Sequence, residues 1–198
     1  MKLYAVALVT AGVLVLAGCG SGGRASGAAP AGTGSASPSA AVTDQGFNDT
    51  DVMFLQMMVP HHGQGIEIVK LAKDRATRAD VKMLAAAIET TQATEVQTMS
   101  GWLRDWRQPP TADPNSHAAH GGMPGTGAAE IADLGKATGA DFERKFLNMM
   151  IAHQDDAIQI ARMEVASGAN TQAKDLARQI DKSRTAQIQQ MLKYLGPP

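Results

Sequence analysis

An internal repeat constrains the fold of this chain more than any other feature. Residues 54–61 read FLQMMVPH and residues 146–153 read FLNMMIAH, and the same offset of 92 residues continues without a gap to Leu103 and Leu195. A repeated unit of this length predicts a paired structure inside one domain. Two methionines and a histidine keep their spacing in both copies, which also suggests a paired metal site.

The N-terminus is predicted to serve export and membrane attachment. Lys2 precedes an apolar run over residues 3–16, and Leu-Ala-Gly-Cys at 16–19 closes it. The run is shorter than the roughly 20 residues of a membrane-spanning helix, so it is typical of a signal peptide over residues 1–18. Residues 16–19 resemble the bacterial lipoprotein processing box, which implies that Cys19 is lipidated and holds the protein at the extracytoplasmic face of the cell membrane. The alternative is an ordinary secretory signal with an incidental cysteine.

Composition separates a tether from a globular domain. Residues 19–46 are mainly Gly, Ala, Ser, Pro and Thr, which predicts a flexible tether. Residues 47–198 are enough for one domain that buries about 70% of its unfolded surface. Cys19 is the only cysteine, which excludes an intramolecular disulfide and a second thiolate ligand. The formal net charge of −1, with mixed signs along the chain, indicates no nucleic-acid partner and identifies no protein partner.

Apolar periodicity predicts two long helices in each repeat. The repeats cover about 51–103 and 143–195, and a linker rich in Pro, Gly and Ala, about 108–140, joins them. We expect helices over about 49–74, 79–107, 141–166 and 171–195, with a short helix near 129–138. These elements predict an all-α fold, a four-helix bundle of two repeated αα-hairpins joined by a long crossover.

Two local signals refine the first helix. Asn48, followed three residues later by Asp51, is typical of an N-cap with an acid in the first turn. Pro60 lies inside the predicted helix and lacks an amide donor, so we expect it to kink the helix or split it.

Sulfur and imidazole are brought together twice by helical spacing. Met57 lies one turn before His61, and Met149 lies one turn before His153. Thioether with imidazole suits Cu(I) better than Ca, Mg or structural zinc. The predicted primary metal ligands are Met57, Met58, His61 and His62, and Met149, Met150 and His153 form a weaker or completing set. The alternative is that the methionines fill the core, as methionine pairs at helical spacing often do.

The two copies are unequal around these positions. Gln154 stands where His62 stands in the first copy, and Arg184 and Gln187 replace Gln92 and Glu95. An inward arginine would repel a cation, so we expect a complete ligand set to centre on the first repeat. Weaker candidate ligands, which could equally be solvated or capping groups, are Gln64, Glu67, Gln92, Glu95 and Asp156.

A second candidate site lies in the crossover, where residues 117–123 read HAAHGGM. His117, His120 and Met123 could wrap a copper ion. The same composition is common in linkers that bind nothing.

Three stretches of the chain share one resemblance. Residues 57–62 read MMVPHH and are followed by Ile66-Glu67, residues 88–99 contain the spacing Ile88, Gln92, Glu95 and Met99, and residues 149–153 read MMIAH. Together they resemble the domain-of-unknown-function 305 family. The resemblance covers about 49–195 and implies a ferritin-like four-helix bundle, exported or lipid-anchored in bacteria. It also implies a link with copper, which some members have. Members commonly carry a second His-His pair, whereas this chain has His153-Gln154.

Three functions remain open from the sequence. The favoured one is a lipid-anchored envelope protein that binds copper and sequesters or buffers it. The second is a structural or partner-binding module without metal, and the third is a ferritin-like di-metal oxidase. The oxidase requires Glu-x-x-His motifs, which neither copy contains. No nucleophilic triad or phosphate loop is present in the sequence, so we expect no enzyme.

Overall fold

The structure is a computed structural model that describes residues 46–112 and 126–196. Within these two ranges the regular elements are helices, and no strand occurs, which confirms the all-α prediction. The helices are α1 Asp49–Arg75, α2 Ala79–Asp105, α3 Ala128–Leu134, α4 Gly139–Ser167 and α5 Thr171–Leu195. None of them combines the length and the hydropathy that a membrane span requires.

The four long helices form two antiparallel hairpins. In the first, α1 packs against α2, and contacts pair His62 with Glu95 and Lys73 with Glu89. In the second, α4 packs against α5, where Gln154 meets Gln187 and Arg162 meets Asp181. The helices α1 and α4 pack against each other and join the hairpins. The predicted pairing of repeated αα-hairpins is confirmed.

The start of α1 follows its local sequence signals. Asn48 accepts a hydrogen bond from the Asp51 amide at 3.1 Å, and the Asp51 carboxylate accepts one from the Asn48 amide at 2.6 Å. This reciprocal capping box satisfies two amides that have no partner inside the helix. Downstream, α1 continues through Pro60 as a single helix, so the proline does not split it.

Each hairpin supplies the carboxylate that caps the turn of the other. Asp51 accepts hydrogen bonds from the amides of Ala169 and Asn170, the latter at 2.9 Å. At the matching position of the second repeat, Glu143 accepts from the amides of Thr77 and Arg78 at 2.6 and 2.8 Å. Bonds to ionised carboxylates are stronger than neutral ones. These two crossed caps fix α1 and α4 relative to each other at both ends.

Two apolar clusters fill the core. The Phe54 cluster comprises Phe54, Leu55, Met57, Met58, Met99, Leu103, Ala157, Ile160, Ala161, Ala177 and Ile180. The Phe146 cluster includes Phe142, Phe146, Leu147, Met150, Ile68, Val69, Ala72, Leu84, Ala85, Ile88 and Met191. Along α1 the Phe54 cluster comes first, whereas along α4 the Phe146 cluster comes first. The middles of both helices therefore lie between the two clusters.

Buried polar residues occupy this middle level. The polar layer, as we name it, consists of His61, His62, Gln92, Glu95, His153, Gln154 and Arg184, each at most 8% exposed. A polar group without a partner is costly in such a place. The hydrogen bonds of the layer therefore decide what it can do.

Candidate metal centre

His61 and His153 meet at the centre of the polar layer. Their rings stack with centroids 3.9 Å apart and planes 15° from parallel. The two residues are equivalent in the repeat, so their contact lies on the pseudo-two-fold axis that relates the hairpins. The sequence predicted two equivalent histidines, and the structure makes them one pair.

Gly65 lets the second repeat approach α1 at this point. A Cβ atom on Gly65 would lie 2.9 Å from His153 Nε2 and closer still to Gln92 Oε1. Glycine inside a helix costs about 1 kcal/mol relative to alanine. That cost was the signal by which the sequence could have singled out Gly65 as part of the site.

His62 belongs to a charged triad with Glu95 and Arg184. His62 Nε2 lies 2.7 Å from Glu95 Oε2, and Arg184 Nη2 donates to the same oxygen while lying 3.2 Å from His62 Nε2. A guanidinium can only donate and a carboxylate can only accept. His62 Nε2 therefore carries a proton and donates to Glu95, which leaves Nδ1 of a neutral His62 with a free lone pair.

The second repeat completes a neutral counterpart of this triad. Gln154 and Gln187 are equivalent to His62 and Glu95, and Gln154 donates to Gln187 as His62 donates to Glu95. Gln92, the equivalent of Arg184, places its Nε2 3.5 Å from Gln154 Oε1. The layer thus contains one charged triad and most of a neutral one, whose third member is the half-buried Gln187, and each triad is built from both repeats.

This arrangement corrects the expected position of Arg184. We expected it to disturb a separate second-repeat site, leaving a complete set in the first repeat. Instead Arg184 reaches across the axis, donates to the first-repeat residue Glu95 and lies 3.2 Å from His62 Nε2. The physical reason is the pseudo-two-fold packing, which turns the inward face of α5 towards α1. Sequence spacing gives the inward face of a helix, but it does not give the facing partner.

Burial keeps the two stacked imidazoles neutral. Burial, followed by the neighbouring His153, His62 and Arg184, lowers the pKa of His61 to about 2. It lowers the pKa of His153 to about 4. Their lone pairs are therefore unprotonated at neutral pH.

The charged triad is held in its ionised form. Burial acts to raise the pKa of Glu95, but His62 and Arg184 outweigh it, and the net pKa is lowered. Burial lowers the pKa of the Arg184 guanidinium, while Glu95 opposes this change. Glu95 therefore stays a carboxylate beside a cation that belongs to the protein.

Several buried polar atoms of the layer have no hydrogen-bond partner among the described residues. They are both ring nitrogens of His61, Nδ1 of His62, Nε2 of His153, Oε1 of Gln92 and Nε of Arg184. His153 Nδ1 is satisfied by Thr126 Oγ1 at 3.2 Å, a contact that no sequence pattern indicated. A buried unpaired polar atom costs about 1–3 kcal/mol. An ordered water or a bound ion would satisfy such atoms.

The methionines lie on both sides of the layer. Met57 and Met58 belong to the Phe54 cluster, whereas Met150 belongs to the Phe146 cluster and half-buried Met149 packs against it. The packing interpretation of the methionines is thereby supported. Their role as ligands stays a prediction.

The weaker candidates divide into three groups. Gln92 and Glu95 belong to the polar layer, and Gln64 is half-buried with an unpartnered Oε1. Glu67 is exposed and Asp156 is half-buried, and neither is among the buried polar residues. The remaining predicted residues, His117, His120, Met123 and Cys19, lie outside the described residues.

The donor set fits a soft metal ion, with one rearrangement. Within residues 46–112 and 126–196, no group of three His, Cys, Asp or Glu side chains stands ready to hold a metal. The rings of His61 and His153 are nearly parallel, so their nitrogen lone pairs do not converge on one point. One ring must turn before both can bind the same ion. The atoms that are free to bind are imidazole nitrogens, with thioethers one turn away, and these donors favour copper.

A groove brings solvent to the edge of the layer. It lies between α2 and α5, has a volume of about 610 Å³, and includes Glu95, Thr94, Thr98, Trp102 and Leu176 in its lining. Because Glu95 contacts both the groove and His62, the groove leads to the charged triad.

Several solved structures resemble this fold. A protein from Streptomyces coelicolor, named as a candidate secreted DUF305 protein, is 30% identical with a TM-score of 0.70, covering 74% of this chain and 91% of that one. A DUF305 fragment from Deinococcus radiodurans is 29% identical with a TM-score of 0.65, covering 75% and 97%. CopM in its Cu(I)-bound form is 26% identical with a TM-score of 0.60, covering 73% and 94%.

No curated protein matches the chain. The family described as a domain of unknown function, DUF305, matches residues 51–195, from the capping acid of α1 to the last residue of α5. This span contains both hairpins and the whole polar layer. The chain therefore belongs to the DUF305 family.

Proposed function

We propose that this protein binds copper and sequesters or buffers it at the outer face of the cell membrane, to which a lipid on Cys19 anchors it. The observation that carries the proposal is the stacked pair of His61 and His153, whose ring nitrogens include unpartnered ones inside a buried layer. Neutral imidazoles bind a metal without first losing a proton.

The similarity to CopM supports copper over other metals. CopM has Cu(I)-bound, Cu(II)-bound and Ag-bound forms, and the Cu(II)-bound form is 27% identical to this chain. Silver(I) resembles Cu(I) in charge and softness. We propose the same preference for copper in the polar layer of this chain, where soft thioethers flank the histidines.

His61 and His153 are the proposed central ligands. His62 contributes through Nδ1, because Glu95 holds its other nitrogen and fixes the tautomer. A carboxylate behind a ligand histidine is the usual arrangement in metal sites. Met57 and Met149 are the proposed sulfur donors. Bound copper would gain soft, neutral ligands, and the clusters above and below would exclude water.

The structural or partner-binding module without metal is the alternative. Met58 and Met150 are completely buried in apolar clusters, which favours packing for these two residues. A di-metal oxidase has less support, since Glu95 is the one carboxylate of the polar layer and is paired with Arg184 and His62. The proposed role is binding rather than catalysis.

Competitive titration of the purified chain with Cu(I) and a chelator tests the proposal. The chain should carry Cys19→Ser, which removes its one thiol. We expect His61→Ala to weaken binding at least tenfold, about 1.4 kcal/mol. Lys70→Ala, an exposed change on the same helix, is the matched control. Equal affinity in the parent and in His61→Ala/His153→Ala would leave the metal-free module as the explanation.

A further inference from the structure

The polar layer contains a cation of its own. Arg184 is 0% exposed and donates to Glu95, which is 8% exposed, so one positive and one negative group are buried together. The histidines and glutamines of the layer add no charge when they act as neutral ligands. The layer therefore offers an incoming metal ion no net negative charge.

The charge of the metal then decides the cost of binding. The desolvation cost of burying an ion grows with the square of its charge, so a divalent ion pays about four times the cost of a monovalent one of similar size. Repulsion from the guanidinium doubles as well, because it is proportional to the charge of the ion. Carboxylate ligands can offset these terms for a divalent ion, but Glu95, the one carboxylate of the layer, is already paired with Arg184.

We propose that Arg184 is a specificity-determining residue that makes the site select monovalent soft ions, Cu(I) and Ag(I), over divalent Cu(II) and Zn(II). This inference rests on the proposed function, because it concerns the same site. Arg184 acts through its fixed charge beside His62, 3.2 Å from Nε2. It does not need to touch the metal.

The repeat supplies the matched variant. Gln92 is the equivalent of Arg184 and occupies the neutral triad, so Arg184→Gln places a side chain that this layer already accommodates. The variant leaves Glu95 with its charge, and the layer becomes net negative. Arg184→Gln/Glu95→Gln removes both charges and returns the layer to neutrality.

The experiment measures Kd for Ag(I), Cu(I), Cu(II) and Zn(II) on the Cys19→Ser chain and its variants by chelator competition, anaerobically for Cu(I). We expect Arg184→Gln to improve Zn(II) affinity relative to Ag(I) at least tenfold, and the double variant to return the ratio to within about threefold of the parent. Arg184→Lys should keep the parent ratio. A purely structural arginine would change all affinities together.

An unchanged ratio in a folded Arg184→Gln variant, judged by far-UV circular dichroism, overturns the inference. If that variant does not fold, Glu95→Gln tests the inference instead, because it leaves the layer with a net positive charge. The inference then requires that Zn(II) binding weaken at least tenfold more than Ag(I) binding. A parent chain that binds all four ions with the expected preference supports both proposals. A parent chain that binds none of the ions overturns the proposed function and this inference together, whereas binding with an unaltered ratio overturns this inference alone.

Discussion

His61 and His153 stack with their ring centroids 3.9 Å apart, although 92 residues separate them in the chain. Each histidine follows a methionine by one helical turn. The stack lies where α1 and α4 pack against each other, and it unites the two copies of the repeat in one buried layer. Any change that moves α1 relative to α4 should therefore act on the site.

Gly65→Ala tests this close approach. The added methyl would meet His153 and the end of Gln92, so we expect the stack to shift and copper affinity to fall at least fivefold. Helix propensity favours alanine by about 1 kcal/mol, which should offset much of the strain. Gly63→Ala is the matched control, since nothing lies within 4 Å of its Cβ position. Chelator competition and urea unfolding measure both effects, and equal copper affinity in the two variants would contradict the role of Gly65.

Met57→Leu and Met149→Leu separate ligation from packing. Leucine fills a similar volume, and such exchanges usually cost less than about 1.5 kcal/mol of stability. If the sulfurs bind the metal, each change should weaken Cu(I) and Ag(I) binding at least tenfold while the urea midpoint changes little. Met99→Leu, a buried change in the same cluster as Met57, provides the control. Retention of full affinity in Met57→Leu/Met149→Leu would assign these methionines to packing alone.

The crossed caps should contribute to stability from both ends of the molecule. Asp51→Ala removes the acceptor for Ala169 and Asn170, and Glu143→Ala removes the acceptor for Thr77 and Arg78. We expect each change to lower the free energy of unfolding by about 1–3 kcal/mol, because two partly buried amides lose their acceptor.

Asp133→Ala, which breaks an exposed ion pair with Lys136, should cost less than about 1 kcal/mol and serves as the control for the caps. The two caps lie at opposite ends, so their costs should add in the double variant. A cap variant as stable as the Asp133 control would show that water replaces the carboxylate without loss.

Glu164 predicts a decline of stability with rising pH. Burial, followed by Asp51, raises its pKa to about 8 against an opposing effect of Lys174. The folded protein therefore binds a proton that the unfolded chain releases above its ordinary pKa of 4.5. Between that value and about 8, the contribution of Glu164 should fall with a slope of at most about 1.4 kcal/mol per pH unit.

Glu164→Gln, a neutral side chain of similar shape, should flatten this decline and raise stability at pH 8 relative to the parent. Glu67→Gln, at an exposed position of α1, is the control. Urea unfolding from pH 5 to 9 gives the comparison. Parallel profiles for the parent and Glu164→Gln would exclude a raised pKa at this position.

The fold was predictable because its signals are local and occur twice. The Asn48 cap and the apolar period of each helix lie within short stretches of sequence. The positions of Met57, His61 and their repeats on one helical face followed from the same spacing. The polar layer was only partly predictable, because its contacts depend on how α5 faces α1. Repeat spacing alone assigns Arg184 to the second half of the site and does not indicate Thr126, whereas the fold brings these residues to Glu95 and His153.

The crossed caps of Asp51 and Glu143 have a consequence for the origin of the chain. In a single isolated hairpin, the carboxylate would have no turn to cap, and the amides of the turn would have no carboxylate to cap them. Two separate copies of one hairpin would satisfy these needs in each other, with equivalent residues meeting on the axis, as in a closed two-fold homodimer. The present chain has the crossed hydrogen bonds of such a dimer, with the two hairpins joined by a crossover into one polypeptide. A single polypeptide also allows the two halves to differ, and here one triad is charged while the other is neutral.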